Sequence, residues 1–394
     1  MPKSLTPVAV RSRSRAVAAA ILLGAFGLAS GSLLVGLFLV YTSPRQIADR
    51  DFVAYWATGR QLTSFRNPYD LVALSKIEHA VGLEGKYAVA AMRNPPWALP
   101  LTVPFGFLSL RASGVLALLI LAASYAASVR ILLGIWPARD PITKAVFYLF
   151  APALICLIWG QTSVLVLLGL ALFLRFHATR PLLAGASLWL CTLKPHLLIP
   201  AAVVLVAWIL VTRSYRVLAG FAAALLASIG ATLIIDLQAF TEYARMMVSS
   251  GYEQEAIPTL SALLRTWLMP DLLPLQFVPA AAACVWAFAY FWSRRHDWVW
   301  QVHGTLLLPV SLLVAPYAFL NDHVIVLPAL VLVASRTRRQ WPILTLALAS
   351  TCLVIAFVQQ RSPAALYWAT CLAAPVWLAW YMFATKNEDF RMGR

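Results

Sequence analysis

Apolar runs of bilayer-crossing length recur from one end of the chain to the other, parted by short polar loops. The first covers about 17–41. Others follow near 112–135, 145–159, 162–176, 181–193, 196–211, 217–235, 275–293, 299–317, 323–335, 341–358 and 364–383. No stretch between them is long enough for a separate soluble domain. The pattern predicts an all-α, polytopic transmembrane helical bundle of about 12 spans, one integral membrane domain over 1–394. Two longer polar stretches, 43–94 and 236–273, are its expected outer loops.

Three segments break this rhythm. Residues 51–62 place Phe52, Tyr55, Trp56, Gly59 and Leu62 at helical spacing, which predicts an amphipathic helix able to lie on the membrane surface. Residues 95–110 are apolar but carry Pro95, Pro96, Pro100 and Pro104. Proline removes backbone donors, so this piece reads as re-entrant or partly embedded. The runs meeting at Gly160-Gln161 and at Lys194-Pro195 are short, as expected of helix ends that stop inside a cavity. The N-terminal run, about 24 apolar residues without a following Ala-x-Ala site, reads as an uncleaved anchor.

Composition sharpens the class. Hydrophobic residues make up 61% of the 394 and charged residues only 12%, far below the quarter usual in soluble domains. The net charge of +16 sits in short loops, at 11–15, 139–144, 175–180, 213–216, 294–295, 336–339 and 386–394. The alternate loops hold most acids, among them Asp49, Asp51, Asp70, Glu78, Glu84, Asp236, Glu242, Glu253, Glu255 and Asp271. This alternation places the basic loops and both termini in the cytoplasm, with attraction to anionic membrane lipids. It argues against nucleic acid as a partner. The five cysteines, Cys156, Cys191, Cys284, Cys352 and Cys371, fall inside apolar runs without CxxC spacing, so neither a disulfide framework nor a metal site is expected.

Ionisable and amide groups near membrane depth are costly and mark function by default. Here they gather on one predicted side: Asp51 at the foot of the loop helix, Gln161, Lys194 and His196 at the helix breaks, and Asn321, Asp322 and His323 at a turn. Each has a bland explanation. Lys194 can snorkel to headgroups, Gln161 can cap a helix, and Asp322 with His323 can form an ordinary polar turn. Asp49 and Asp70 are best read as solvated acids. Their coincidence favours chemistry: an aspartate taking a proton from an acceptor hydroxyl, and cations stabilising a departing phosphate. Transfer of a sugar from a lipid-linked phosphosugar fits, with no cofactor and no metal required. A transporter or lipid flippase is the alternative, against which stands the lack of an inverted repeat. A non-catalytic assembly factor is a third reading.

Several stretches, in order, resemble glycosyltransferase family 87. They are Asp51-Phe52 with Tyr55, Asn67-Pro-Tyr-Asp70, Asn94-Pro-Pro96 followed by Pro104, Gly160-Gln161, Leu193-Lys-Pro-His196, Ser261-Ala-Leu-Leu264, and Pro316-Tyr317 followed by Asp322-His323. The resemblance implies a GT-C-type membrane enzyme of the plasma membrane, its site on the extracytoplasmic side, using a polyprenyl-phosphate sugar donor. Mannose is the implied hexose, and a glycan or glycolipid the implied acceptor. It also implies Asp51 as general base, with Asp49 two residues earlier as the competing position. Donor-phosphate contacts fall near Lys194 and His196, and substrate contacts extend to Gln161, Tyr55, Asp322 and His323. The chain departs from the family at Thr259-Leu260, where an Asn-Gln-like pair is expected.

Overall fold

The computed structural model describes residues 7–83, 89–249, 259–337, 341–358 and 363–386. Glu84, Glu253, Glu255, Arg338, Arg339 and the acids and bases of 387–394 lie outside the described residues. Among those described there is no strand. The helices are α1 (Pro7–Thr42), α2 (Pro44–Ala48), α3 (Phe52–Thr63), α4 (Leu71–Ala80), α5 (Val103–Gly106), α6 (Leu110–Ile135), α7 (Pro141–Tyr148), α8 (Ala151–Trp159), α9 (Ser163–Phe176) and α10 (Pro181–Leu188). Then come α11 (Ile199–Thr212), α12 (Tyr215–Ile235), α13 (Ala239–Ser249), α14 (Leu260–Leu268), α15 (Val278–Ser293), α16 (Thr305–Leu313), α17 (Leu327–Arg336), α18 (Trp341–Val358) and α19 (Pro363–Lys386).

Among the described residues, 6 segments are long and apolar enough to cross a bilayer: Ala16–Thr42, Leu110–Ile135, Pro141–Trp159, Tyr215–Ile235, Leu273–Ser293 and Trp341–Val358. Four shorter apolar helices accompany them: Ser163–Phe176, Pro181–Leu193, Ile199–Thr212 and Thr370–Thr385. At 1.5 Å per residue the first of these reaches about 21 Å, short of the hydrocarbon core. The sequence pattern counts such runs as full spans; among the described residues 6 segments combine that length and hydropathy, and α19, with 24 residues, has the length as well.

Burial separates centre from rim. Pro141–Trp159 is buried over 67% of its span window, whereas Tyr215–Ile235 is buried over 11% and leaves most of its apolar surface for lipid. α8 packs against α1 and against the segment Leu320–Val326, and α9 packs against α6, α10 and that same segment. Proline shapes the breaks. Pro152 opens α8 after the gap at 149–150, so the run expected as 145–159 is two helices. Residues 95–110 make a 3-10 turn, Pro96–Leu101, then the single turn α5, and no helix of spanning length.

One expectation is overturned. α3 does not present a polar face to a membrane surface: every residue from Phe52 to Gly59 is buried, as are Gln61 and Leu62. The cause is α5. A Cβ on Gly59 would collide with the Thr102 carbonyl, and one on Gly106 with the Gly59 carbonyl. The two backbones therefore meet directly, and Trp56 Nε1 and Arg60 Nη1 donate to the carbonyls of Leu108 and Gly106 at 3.0 and 3.1 Å.

Candidate active site

An aspartate just before a helix ordinarily caps it. Asp70 does so for α4, accepting from the Val72 and Ala73 amides at 3.0 and 3.1 Å, and Asp140 caps α7 through Thr143. Asp51 precedes α3 yet makes no side-chain capping bond. Its Oδ2 accepts instead from Gln161 Nε2 at 2.5 Å, and Gln161 Oε1 faces the Tyr55 hydroxyl at a long 3.5 Å.

Gly160 makes that bond geometrically possible. It ends α8 in the left-handed region, φ 68°, while the Gln161 amide donates back to the Cys156 carbonyl. A Cβ at Gly160 would sit 2.6 Å from Phe52 Cβ, so only glycine lets the turn touch the start of α3. Gln161 is thus brought beside Asp51 rather than left to cap its own helix. Arg50 completes this corner, its guanidinium 5.0 Å from the Trp159 ring centroid.

A second carboxylate lies deeper. Asp322, within the 3-10 segment Leu320–Val326, accepts from Lys194 Nζ at 2.6 Å, the Phe319 amide at 2.9 Å, Asn321 Nδ2 at 3.2 Å and the Ser163 hydroxyl. Few acids lie near Lys194 in sequence; Asp322 arrives from a distant segment and pairs with it, and both are buried. Asn94 ties the two helix breaks together, donating to the Leu193 carbonyl at 2.9 Å and to Thr162 at 3.3 Å.

The histidines part company. His196 keeps partial exposure, with its ring 3.8 Å from that of Tyr317 at an interplanar angle of 30°. The Pro316 carbonyl just before Tyr317 is held by Thr259 at 3.3 Å and by Gln276. Thr259, at the departure from the family, also caps α14 through the Ala262 amide. His323 turns inward, is buried, and accepts from Trp377 Nε1 at 3.1 Å.

Burial pushes the Asp51 carboxyl above the usual carboxylate range; the Gln161 hydrogen bond and the Lys194 charge oppose this, and the Asp322 charge adds to it. Asp51 nonetheless keeps partial exposure, as does Gln161. A carboxylate with a raised proton affinity, on a residue that keeps some exposure, is suited to accept a proton. Among the described residues no group of three or more His, Cys, Asp and Glu is placed to hold a metal ion. Ser163 and Arg50 were missed from sequence. Arg50 had a signal, adjacency to Asp51; Ser163, one hydroxyl in an apolar run, had none.

Residues 93–316 match the family described as glycosyltransferase family 87. The chain belongs to that family. This glycosyltransferase is therefore a multi-pass membrane enzyme acting on sugar substrates. The matched region contains Asn94, Gln161, Ser163, Lys194 and His196, while Asp51 and Asp322 lie on either side of it. No curated protein and no solved structure matches the glycosyltransferase.

Proposed function

We propose that this glycosyltransferase moves a hexose, mannose by family resemblance, from a polyprenyl-phosphate donor to a hydroxyl of a glycan or glycolipid on the extracytoplasmic face of the plasma membrane. The observation that carries the reading is Asp51: a carboxylate on a partly exposed residue that declines its helix cap, is held by one amide, and feels the charge of Lys194. Asp51 takes the proton of the acceptor hydroxyl as that oxygen bonds to the anomeric carbon. The bond from that carbon to the polyprenyl phosphate breaks, and its electron pair leaves with the phosphate. A single displacement inverts the anomeric centre. Gln161 and Tyr55 orient the base. Lys194, positioned by Asp322, and His196, stacked on Tyr317, face the phosphate that departs.

The test presents membranes containing the enzyme with labelled polyprenyl-phosphate hexoses, one at a time. The expected result is loss of sugar from one donor, absent with Asp51→Asn. Failure of every lipid-phosphate sugar, with a soluble nucleotide sugar consumed instead, would sink the donor assignment. The orientation is checked separately: a cysteine at exposed Asp70 should react with a membrane-impermeant reagent from outside, and one at Arg213 should not.

A further inference from the structure

Three basic loops that are far apart in sequence converge around one pocket. His177 comes from the end of α9, Trp208 from α11, Arg213 and Arg216 from the turn into α12, and Trp298 and Trp300 from the stretch after α15. The cavity measures about 630 Å³. None of its lining residues belongs to the Asp51 and Asp322 cluster, and all lie on the face that the basic loops mark as cytoplasmic.

Its chemistry is divided. Trp208, Trp298 and Trp300 form an edge-on aromatic floor, with centroids 5.7 Å apart for Trp208 and Trp300 and 5.6 Å for Trp298 and Trp300. The indole N–H groups of Trp298 and Trp300 are buried with no acceptor among the described residues. Above them stand Arg213 and Arg216. Elsewhere on this face, arginines lie over rings: Arg180 over Phe176, Arg294 over Tyr290 and Arg295 over Trp292. Among the described residues, neither Arg213 nor Arg216 has an ion pair or a ring partner. Arg213 also holds a left-handed backbone, φ 54°, one of two non-glycine residues to do so among those described.

Beside the pocket, α11 and α12 leave Val206, Leu210 and Leu218 exposed. A ligand that satisfies this arrangement carries a phosphate for the arginines and hydrocarbon for the tryptophan floor and the flanking helices. We propose that the pocket binds the headgroup of an anionic phospholipid, with its acyl chains lying along α11 and α12. A soluble phosphate would use the arginines alone, whereas a phospholipid held there by its headgroup continues into the lipid that the apolar faces of α11 and α12 already border.

The experiment uses the full chain and native mass spectrometry, with phosphatidylglycerol and phosphatidylcholine of matched acyl chains. The wild type is expected to retain phosphatidylglycerol at least about tenfold over phosphatidylcholine. Arg213→Ala with Arg216→Ala should remove that preference, and Arg213→Lys with Arg216→Lys should keep part of it. Both arginines are exposed, so monodisperse elution and an unchanged thermal midpoint are expected of each variant. Arg294→Ala with Arg295→Ala, equally basic but outside the pocket lining, should change nothing; an equal loss there would mean a diffuse basic surface and overturn the pocket. Displacement of the lipid by excess glycerol 3-phosphate would overturn the lipid assignment in favour of a soluble anion. Equal retention of both lipids by the wild type would end the proposal.

Discussion

Asp322 accepts from four groups, the Ser163, Lys194 and Asn321 side chains and the Phe319 amide, while among the described residues the Asp51 carboxylate accepts from Gln161 alone. Asp322 is buried and Asp51 keeps some exposure. Under the proposed function the same functional group is put to opposite uses. A carboxylate saturated by donors is held as an anion and serves to locate a cation. One with a single donor retains the capacity to take a proton. Proton transfer is assigned to Asp51 and positioning to Asp322 on this difference.

The contrast is broken most severely at Asp51. Asp51→Asn should leave the fold intact and lower kcat/KM for the lipid donor by roughly a hundredfold to ten-thousandfold, the usual worth of a positioned base. A near-normal rate would show that the reachable carboxylate is not the base. Asp322→Ala strands Lys194 as a buried unpaired charge, and should cost about 3–5 kcal/mol of stability in thermal unfolding. Asp322→Leu combined with Lys194→Met should recover much of it. If Asp322→Ala is as stable as wild type yet inactive, the roles of the two aspartates are reversed.

Gln161→Leu sharpens the comparison by removing the one donor to Asp51 found among the described residues. The Asp51 carboxyl already sits above the usual range, so the rate is lost as pH falls through that raised value. Without Gln161 the ionised form is less favoured. The acid limb of the pH–rate profile should then move further up, with about a tenfold loss of rate near neutrality. A profile unchanged in position would mean that Gln161 does not support the base.

Glu78 offers a third case, a buried carboxyl with one oxygen accepting from the Ala90 amide at 2.8 Å and the other without a partner among the described residues. Burial raises it from 4.5 to about 7. The folded form then holds the proton where the unfolded chain has released it, so stability is full below about 4.5 and declines as pH rises through about 7. Glu78→Gln should flatten that decline and stabilise residues 71–83 by about 1 kcal/mol at pH 8, read by hydrogen exchange. The smallest effect is expected at Asp49, which is exposed: Asp49→Asn should stay within about twofold of the wild-type rate, and a dead variant would move the base two residues upstream.

Much of this site was legible as a set of residues and little of it as a set of partners. Asp51, Gln161, Lys194 and His196 stood out because polar groups at membrane depth are costly. The pairing of Lys194 with Asp322 did not, because nothing local links them. The prolines of 95–110 foretold a broken segment, but not that Gly106 would lie against Gly59 and bury α3. His196 and His323 both read as substrate contacts in the sequence; the structure turns His323 into the interior against Trp377 and leaves His196 against the Tyr317 ring.

By itself the sequence determined the solvent of this protein, its helical class and which polar residues stand out in its apolar runs, since hydropathy and charge act residue by residue over short windows. Only the tertiary structure decided which carboxylate is saturated by donors and which has a single one, and that three basic loops share one tryptophan-floored pocket. Those outcomes depend on hydrogen bonds and close backbone approaches between segments far apart in the chain, and no local pattern encodes which groups meet.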